Sequence, residues 1–238
     1  MRTGVKYRAL LKDKKEAEIL GKARIAVLGL GIAGASAAEA LCRRGVGGLT
    51  LADAGRLTDD DVYRHPFAFH TTKGLTMVEA GKRVLGGIDD SLLINTYEIG
   101  YSAETAHLFD LGSFSCVVDA LGTAAEKKEL FQRASRERVP VVSLVNRLAG
   151  PGEICVDGIL RSGLGFLIKD LENSSKRFAL RNTRVLYLRK NRTSGRKSGT
   201  PEESRTEKQT VNDTGIAGIM GYLAAEEAVQ SVLAGRTV

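Results

Sequence analysis

Short apolar runs alternate along this chain with stretches of helical period. Residues 9–22 carry Leu10, Leu11, Ala17, Ile19 and Leu20, and predict an N-terminal helix. Residues 24–28 form a short apolar run bounded by glycines, the pattern of a buried parallel strand. Residues 34–44 place Ala35, Ala38, Leu41 and Cys42 at helical spacing, and 49–52 read as a second strand ending in Asp53. The same pattern predicts helices over 74–85 and 127–138, and strands over 92–99, 116–120 and 139–145. Strands alternating with helices at this spacing predict an α/β fold, with a Rossmann-like, mostly parallel sheet and helices on both faces.

After Pro151 the pattern weakens. Residues 168–180 predict a helix and 185–188 a strand. Residues 190–213 are polar, contain Pro201 and read as a mobile loop. Residues 215–235 predict an apolar helix. The expectation is one domain over 1–238, with its core in 1–150, a basic, partly mobile segment in 151–214 and a closing helix in 215–238.

Composition narrows the class. Of 238 residues, 43% are apolar and 26% charged, which excludes a wholly disordered chain. No apolar run reaches the ~18 residues of a membrane span. Residues 1–22 are charged and lack an apolar signal core, so secretion is not expected. Cys42, Cys116 and Cys155 are odd in number and far apart, which fits a reducing cytoplasm rather than a disulfide framework or a zinc knuckle. The net charge of +7 is local: residues 176–197 hold nine basic side chains and no acid, leaving the rest at −2. Such a block fits a surface for nucleic-acid phosphates, and taken alone fits a solvated, partly disordered loop better.

The chemistry concentrates at Gly29-Leu-Gly31-Ile-Ala-Gly34, a G-x-G-x-x-G between a predicted strand and a predicted helix. The first glycine permits a tight turn, the second lets backbone approach a phosphate, and the third lets helix pack on strand. The helix start then offers N–H groups and a positive dipole to an anion. Asp53, 19 residues after Gly34, stands where a carboxylate receives ribose hydroxyls. These features predict nucleotide binding and leave ATP and NAD both open.

Several segments resemble the ThiF-type, ubiquitin-activating-enzyme-like superfamily of adenylating enzymes, and within it the tRNA threonylcarbamoyladenosine dehydratases. They are residues 7–11, 23–34, 38–41, 45–47 and 49–53, then Arg64, Gly74 and Leu75, and later 117–121, 139–143, 185–187 and 215–218. The resemblance implies ATP on the glycine loop (Gly29, Gly31, Gly34), Asp53 on the ribose, Arg64 at the phosphates and Asp119 in the nucleotide site. It implies magnesium at an aspartate after the fourth strand, and a homodimer. It also implies a tRNA partner, gripped through residues 176–197. The reaction implied is activation of a tRNA-borne carboxylate as a mixed anhydride with AMP, followed by ring closure, with cations offsetting phosphate charge in the transition state.

The sequence departs from that pattern at the chemistry. An Asn-Arg-Gln motif reads Tyr63-Arg64-His65, the charge-neutralising lysine falls on Met77, the magnesium aspartate on Gly122, and a second acid on Gly55. The loop glycines continue as Ile32, Ala33 and Ala35, and the glycine-rich stretch after the fifth strand reads Leu144-Val-Asn-Arg147. Lys73, on one face with Met77 if 73–77 is helical, and Lys127 or Lys128 are candidate substitutes, and otherwise exposed side chains. Arg8 resembles the family's N-terminal arginine. A non-catalytic paralogue that binds nucleotide, RNA or a partner protein, and an NAD-dependent oxidoreductase, stand as alternatives. His65 and His70 flank Phe67 without a completing ligand set, and Asp59, Asp60 and Asp61 read as a helix N-terminal cluster. Cys42 and Cys116 read as packing, and Cys155 as half exposed without an evident base.

Overall fold

A computed structural model describes residues 14–145, 152–190 and 214–235. In chain order the elements are α1 (Lys14–Lys22), β1 (Arg24–Leu28), α2 (Ile32–Arg43), β2 (Gly48–Ala52), α3 (Met77–Ile88), β3 (Leu93–Tyr97), β4 (Cys116–Asp119), α4 (Ala124–Glu137), β5 (Val141–Val145), β6 (Gly152–Gly158), α5 (Asn173–Asn182), β7 (Thr183–Lys190) and α6 (Thr214–Ala234). The strands form one sheet in the order β3-β2-β1-β4-β5-β7-β6. All neighbours run parallel except β6, which pairs antiparallel with β7.

The central strands are apolar on both faces because helices cover both. One core lies between the sheet and α2, α3 and α6, with Val27, Leu41, Leu51, Leu85 and Val229 fully buried. The other lies under α4 and α5 and includes Leu28, Val117, Phe131 and Ala179. Tyr101 and Phe109, from the long β3–β4 connection, pack in it with tilted rings, centroids 5.3 Å apart. The edge strand β3 is mostly exposed, as its polar Asn95 and Thr96 require.

The predicted mostly parallel sheet with helices on both faces is the observed one, and the differences lie at ends and edges. The predicted N-terminal helix is seen from Lys14 on, and its residues 9–13 lie outside the described ones. Helix α3 starts at Met77 rather than 74, because Thr76 and Glu79 close a reciprocal capping box. Helix α4 starts at Ala124 rather than 127, for the same reason at Thr123 and Glu126. Helix α5 is shifted to Asn173–Asn182. Strand β6 was not expected at all. The loop predicted over 190–213 lies, beyond Lys190, outside the described residues.

Candidate functional site

From β1 the chain moves to β2 and β3 on one side of the sheet and to β4 and β5 on the other. The carboxyl ends of β1 and β4 therefore diverge, and open parallel sheets carry their ligands in the crevice formed there. The loop after β1 is the glycine motif, and the loop after β4 begins at Ala120.

The two loops touch. Gly29 has φ +89°, and a Cβ on it would stand 2.6 Å from the Ala120 carbonyl oxygen. A Cβ on Gly34 would overlap the Gly29 carbonyl. Gly31 differs: it is the N-cap of α2, no side chain caps it, and a Cβ there would meet nothing within 4 Å. The first N–H groups of α2 lack intrahelical partners and carry the positive end of the helix dipole, next to the open space at Gly31.

Asp53 closes one side. Its Oδ2 accepts the Leu30 N–H at 2.6 Å and its Oδ1 accepts the Gly55 N–H at 2.6 Å. Each carboxylate oxygen has a further lone pair, and the residue is only half-buried. Leu30 is also held on its carbonyl side: His65 Nε2 donates to the Leu30 carbonyl at 2.7 Å, while His65 Nδ1 accepts the Phe67 N–H at 3.1 Å. Those two bonds define a neutral imidazole with its proton on Nε2. Burial lowers the His65 pKa from its usual value and keeps the ring neutral.

Arg64 turns to Asp61, with Nε and Nη2 at 3.1 and 3.0 Å from the same oxygen. Burial alone would raise the Asp61 pKa. The Thr58 N–H and hydroxyl, with Arg64, outweigh it and hold the carboxyl below its usual range. The acidic run stands, as expected, at a helix start: Asp59 is the N-cap of a short 3-10 helix, Asp60–Tyr63, with Asp60 and Asp61 in its first turn. Met77 begins α3, donates its N–H to the Gly55 carbonyl at 2.9 Å, and lays its thioether beside Gly55 and Asp53.

A buried network lies at the ends of β4 and β5. Asp119 is fully buried and Lys127 nearly so, with Nζ 2.9 Å from Asp119 Oδ1. Lys127 also donates to the Leu144 carbonyl at 2.9 Å and to Ser143 Oγ at 3.4 Å. Ser143 Oγ donates to Asp119 Oδ2 at 2.6 Å, and the Leu121 N–H reaches Asp119 Oδ1 at 3.0 Å.

A model of the ThiF family matches residues 7–156, well over half the chain. The chain belongs to the ThiF family. Two tRNA threonylcarbamoyladenosine dehydratases are similar in sequence: that of Bacillus subtilis is 32% identical over 131 residues, 55% of this chain and 51% of that protein. That of Escherichia coli is 26% identical over 135 residues, 57% and 50% respectively. The aligned part of the chain spans about half the length of these curated relatives. The crystal structure of the Escherichia coli enzyme in complex with ATP superposes with a TM-score of 0.73 at 21% identity, over 96% of this chain and 93% of that one. Its complex with AMP gives 0.74 over 98% and 95%. The shared architecture therefore extends through the C-terminal helix.

Measured against the ThiF expectations, the structure brings Gly29, Gly31, Gly34 and Asp53 together at one crevice and buries Asp119 behind it. Two expected lysines are placed differently. Lys73 does not share a helical face with Met77, because α3 begins only at Met77; it reaches Asp59 at 2.7 Å on the surface. Lys127 is not an exposed side chain but the centre of the buried network. Its spacing of three, four and seven residues from Leu130, Phe131 and Ala134 put it on the inner face of α4, a signal legible in the sequence. Lys128 does point outward, to Asp170 at 2.6 Å. Magnesium does not fit the residues after β4. Both Asp119 oxygens are taken by protein donors, and Gly122 offers no side chain. Among the described residues no three His, Cys, Asp or Glu side chains gather to hold a metal.

The remaining candidates are structural. Burial pushes the Cys42 and Cys116 thiols up to about 12, so both pack as apolar groups. Cys155 is buried rather than half exposed, because it lies on β6 and packs into the core under α4 and α5. The basic block is divided: Arg184 pairs with Glu227 at 2.8 Å and Arg189 with Glu153 at 3.0 Å, while Arg177 and Arg181 are exposed on α5. Arg8, Arg147, Arg192, Arg196 and Lys197 lie outside the described residues. No described helix is long and apolar enough to cross a membrane.

Proposed function

We propose that this ThiF protein binds ATP in the crevice between the β1 and β4 loops and acts, as its dehydratase relatives are named for doing, on a threonylcarbamoyl-modified adenosine of tRNA. The observation that carries the nucleotide reading is Asp53. It anchors the glycine loop through Leu30 and keeps lone pairs for ribose hydroxyls, beside an uncapped helix N-terminus open at Gly31. In this reading the α2 N–H groups seat a phosphate. Arg64 exchanges Asp61 for a second one, and Arg177 and Arg181 meet tRNA phosphates. Homodimerisation and a cytoplasmic setting belong to the same proposal, the latter supported by three free, buried cysteines.

Calorimetric titration with ATP and magnesium, with NAD as parallel ligand, tests it. Micromolar ATP binding lost in Asp53→Ala supports the reading, and binding of NAD instead moves the protein to the oxidoreductases.

Nucleotide binding without adenylation is the second reading, favoured by the cations. Met77 stands beside Asp53, Lys73 is drawn to Asp59, Lys127 is neutralised by Asp119, and Gly122 supplies no acid. Loss of one charge-stabilising group commonly costs about 10²–10³ in rate. ATP–pyrophosphate exchange decides between the two: exchange supports the enzyme, and its absence with intact ATP binding supports the binding protein.

A further inference from the structure

The sequence pointed to a direct nucleotide role for Asp119 and offered Lys127 as a candidate phosphate-neutralising cation, and in the structure the two are buried together with Ser143. Asp119 cannot touch a ligand in this structure, since it has no exposed surface and both oxygens are engaged. The ammonium of Lys127 has three donors, and three acceptors meet it: Asp119, Ser143 Oγ and the Leu144 carbonyl. Asp119 ends β4, Ser143 and Leu144 lie in the second half of the adjacent β5, and the donor comes from the first turn of α4. The cluster therefore fixes three elements where the crevice is formed.

Its reach to the ligand side is short. Asp119 holds the Leu121 N–H and so sets the peptide that follows Ala120. Ala120 is the wall against which Gly29 and Gly34 are packed, its carbonyl against the first and its Cβ against the second. A shift of that wall moves the glycine loop, since neither glycine has room to absorb it. A buried ion pair is weak evidence for stability, because apolar or neutral replacements often fold as well. What this one supplies is position.

We propose that Lys127, with Asp119 and Ser143, is a positioning residue for the nucleotide: it holds the β4 loop at the distance from β1 at which the glycine loop receives a phosphate. The proposal rests on the nucleotide reading above.

The test compares ATP binding at 20 °C with thermal unfolding in wild type, in the charge-neutral double variant Lys127→Met/Asp119→Asn, and in Ser143→Ala and Ser143→Thr. The amide oxygen introduced by Asp119→Asn still accepts the Leu121 N–H. The expected result is a double variant that unfolds cooperatively, well above 20 °C, yet binds ATP about 10–100-fold more weakly, the worth of one hydrogen bond to a charged phosphate. Ser143→Ala, which retains the ion pair and the fold, weakens ATP by a smaller factor, and Ser143→Thr, which keeps the hydroxyl, restores it. A purely structural cluster would lower the melting temperature and leave affinity at 20 °C unchanged in the folded variants; that outcome overturns the proposal. Should the double variant not fold, the Ser143 pair decides, and equal affinity of Ser143→Ala and wild type overturns it. Absence of ATP binding in wild type instead overturns the nucleotide reading itself, and the positioning role with it.

Discussion

His65 Nε2 hydrogen-bonds the Leu30 carbonyl at 2.7 Å across 35 residues of sequence, tying the middle of the glycine loop to the segment that carries Arg64. Removing the ring leaves a buried carbonyl and the Phe67 N–H without partners and opens a cavity. His65→Ala is expected to lower unfolding free energy by about 2–4 kcal/mol. His65→Gln, which retains an N–H donor, costs less than half of that. Urea unfolding of both variants checks the pair.

The same ring makes stability depend on pH. Its folded pKa lies below the usual 6.5 because burial disfavours the imidazolium. The unfolded chain therefore takes up this proton first as pH falls. The contribution is fully present above about 6.5 and is lost progressively below it, toward the folded pKa. Denaturation from pH 8 to 5 should show wild type losing more stability than His65→Gln. Parallel curves would remove His65 as the cause.

Gly31 and Gly34 separate folding from binding. Gly34→Ala forces a methyl into the Gly29 carbonyl and is expected to cost about 1–3 kcal/mol or more. Gly31→Ala places its methyl in open space and should change stability by less than about 1 kcal/mol. If a phosphate sits there, the same methyl weakens ATP binding. A thermal melt and a titration on each variant give both numbers.

Met77→Lys puts an ammonium beside Asp53 at the first turn of α3. A cation at a helix N-terminus costs about 0.3–1 kcal/mol. One charge-assisted hydrogen bond to a bound phosphate tightens ATP about tenfold. Calorimetry with ATP and with adenosine distinguishes the two effects, since only ATP should gain.

Arg177 and Arg181 test the nucleic-acid surface. Replacing both by Ala should flatten the salt dependence of tRNA binding by about 0.7–0.9 for each phosphate contact removed, and leave the melting temperature unchanged. An unchanged slope would place the tRNA surface elsewhere.

The parts legible in the sequence were those governed by local rules. The β1–α2–β2 unit announced itself through an apolar run, three glycines with distinct steric duties and Asp53 at the end of β2. Helix starts at Thr76 and Thr123 were also written locally, as T-x-x-E capping boxes that periodicity alone placed three residues off. Strand β6 was not legible, because its partner β7 lies about 30 residues on and pairs with it only after α5 has intervened. Lys127 was misplaced by the rule that lysines face water. Its compensation, Asp119 and the end of β5, comes from other segments, and no single stretch reveals that. His65 likewise bonds a backbone carbonyl, which leaves no mark on side-chain patterns.

Helix α6 packs on α2 more extensively than any other helix does, with Gly221 so close that a Cβ would overlap the Ala33 carbonyl. Ala33 lies in the first turn of the helix that opens the crevice, yet its brace is made nearly two hundred residues later. During synthesis, β1, α2 and β2 leave the ribosome long before that brace exists. Asp53 and His65 hold the glycine loop from the first half of the chain, whereas α2 gains its most extensive packing partner only when α6 docks, so a nascent chain halted before Thr214 would present that loop on a helix whose Ala33 face is still bare.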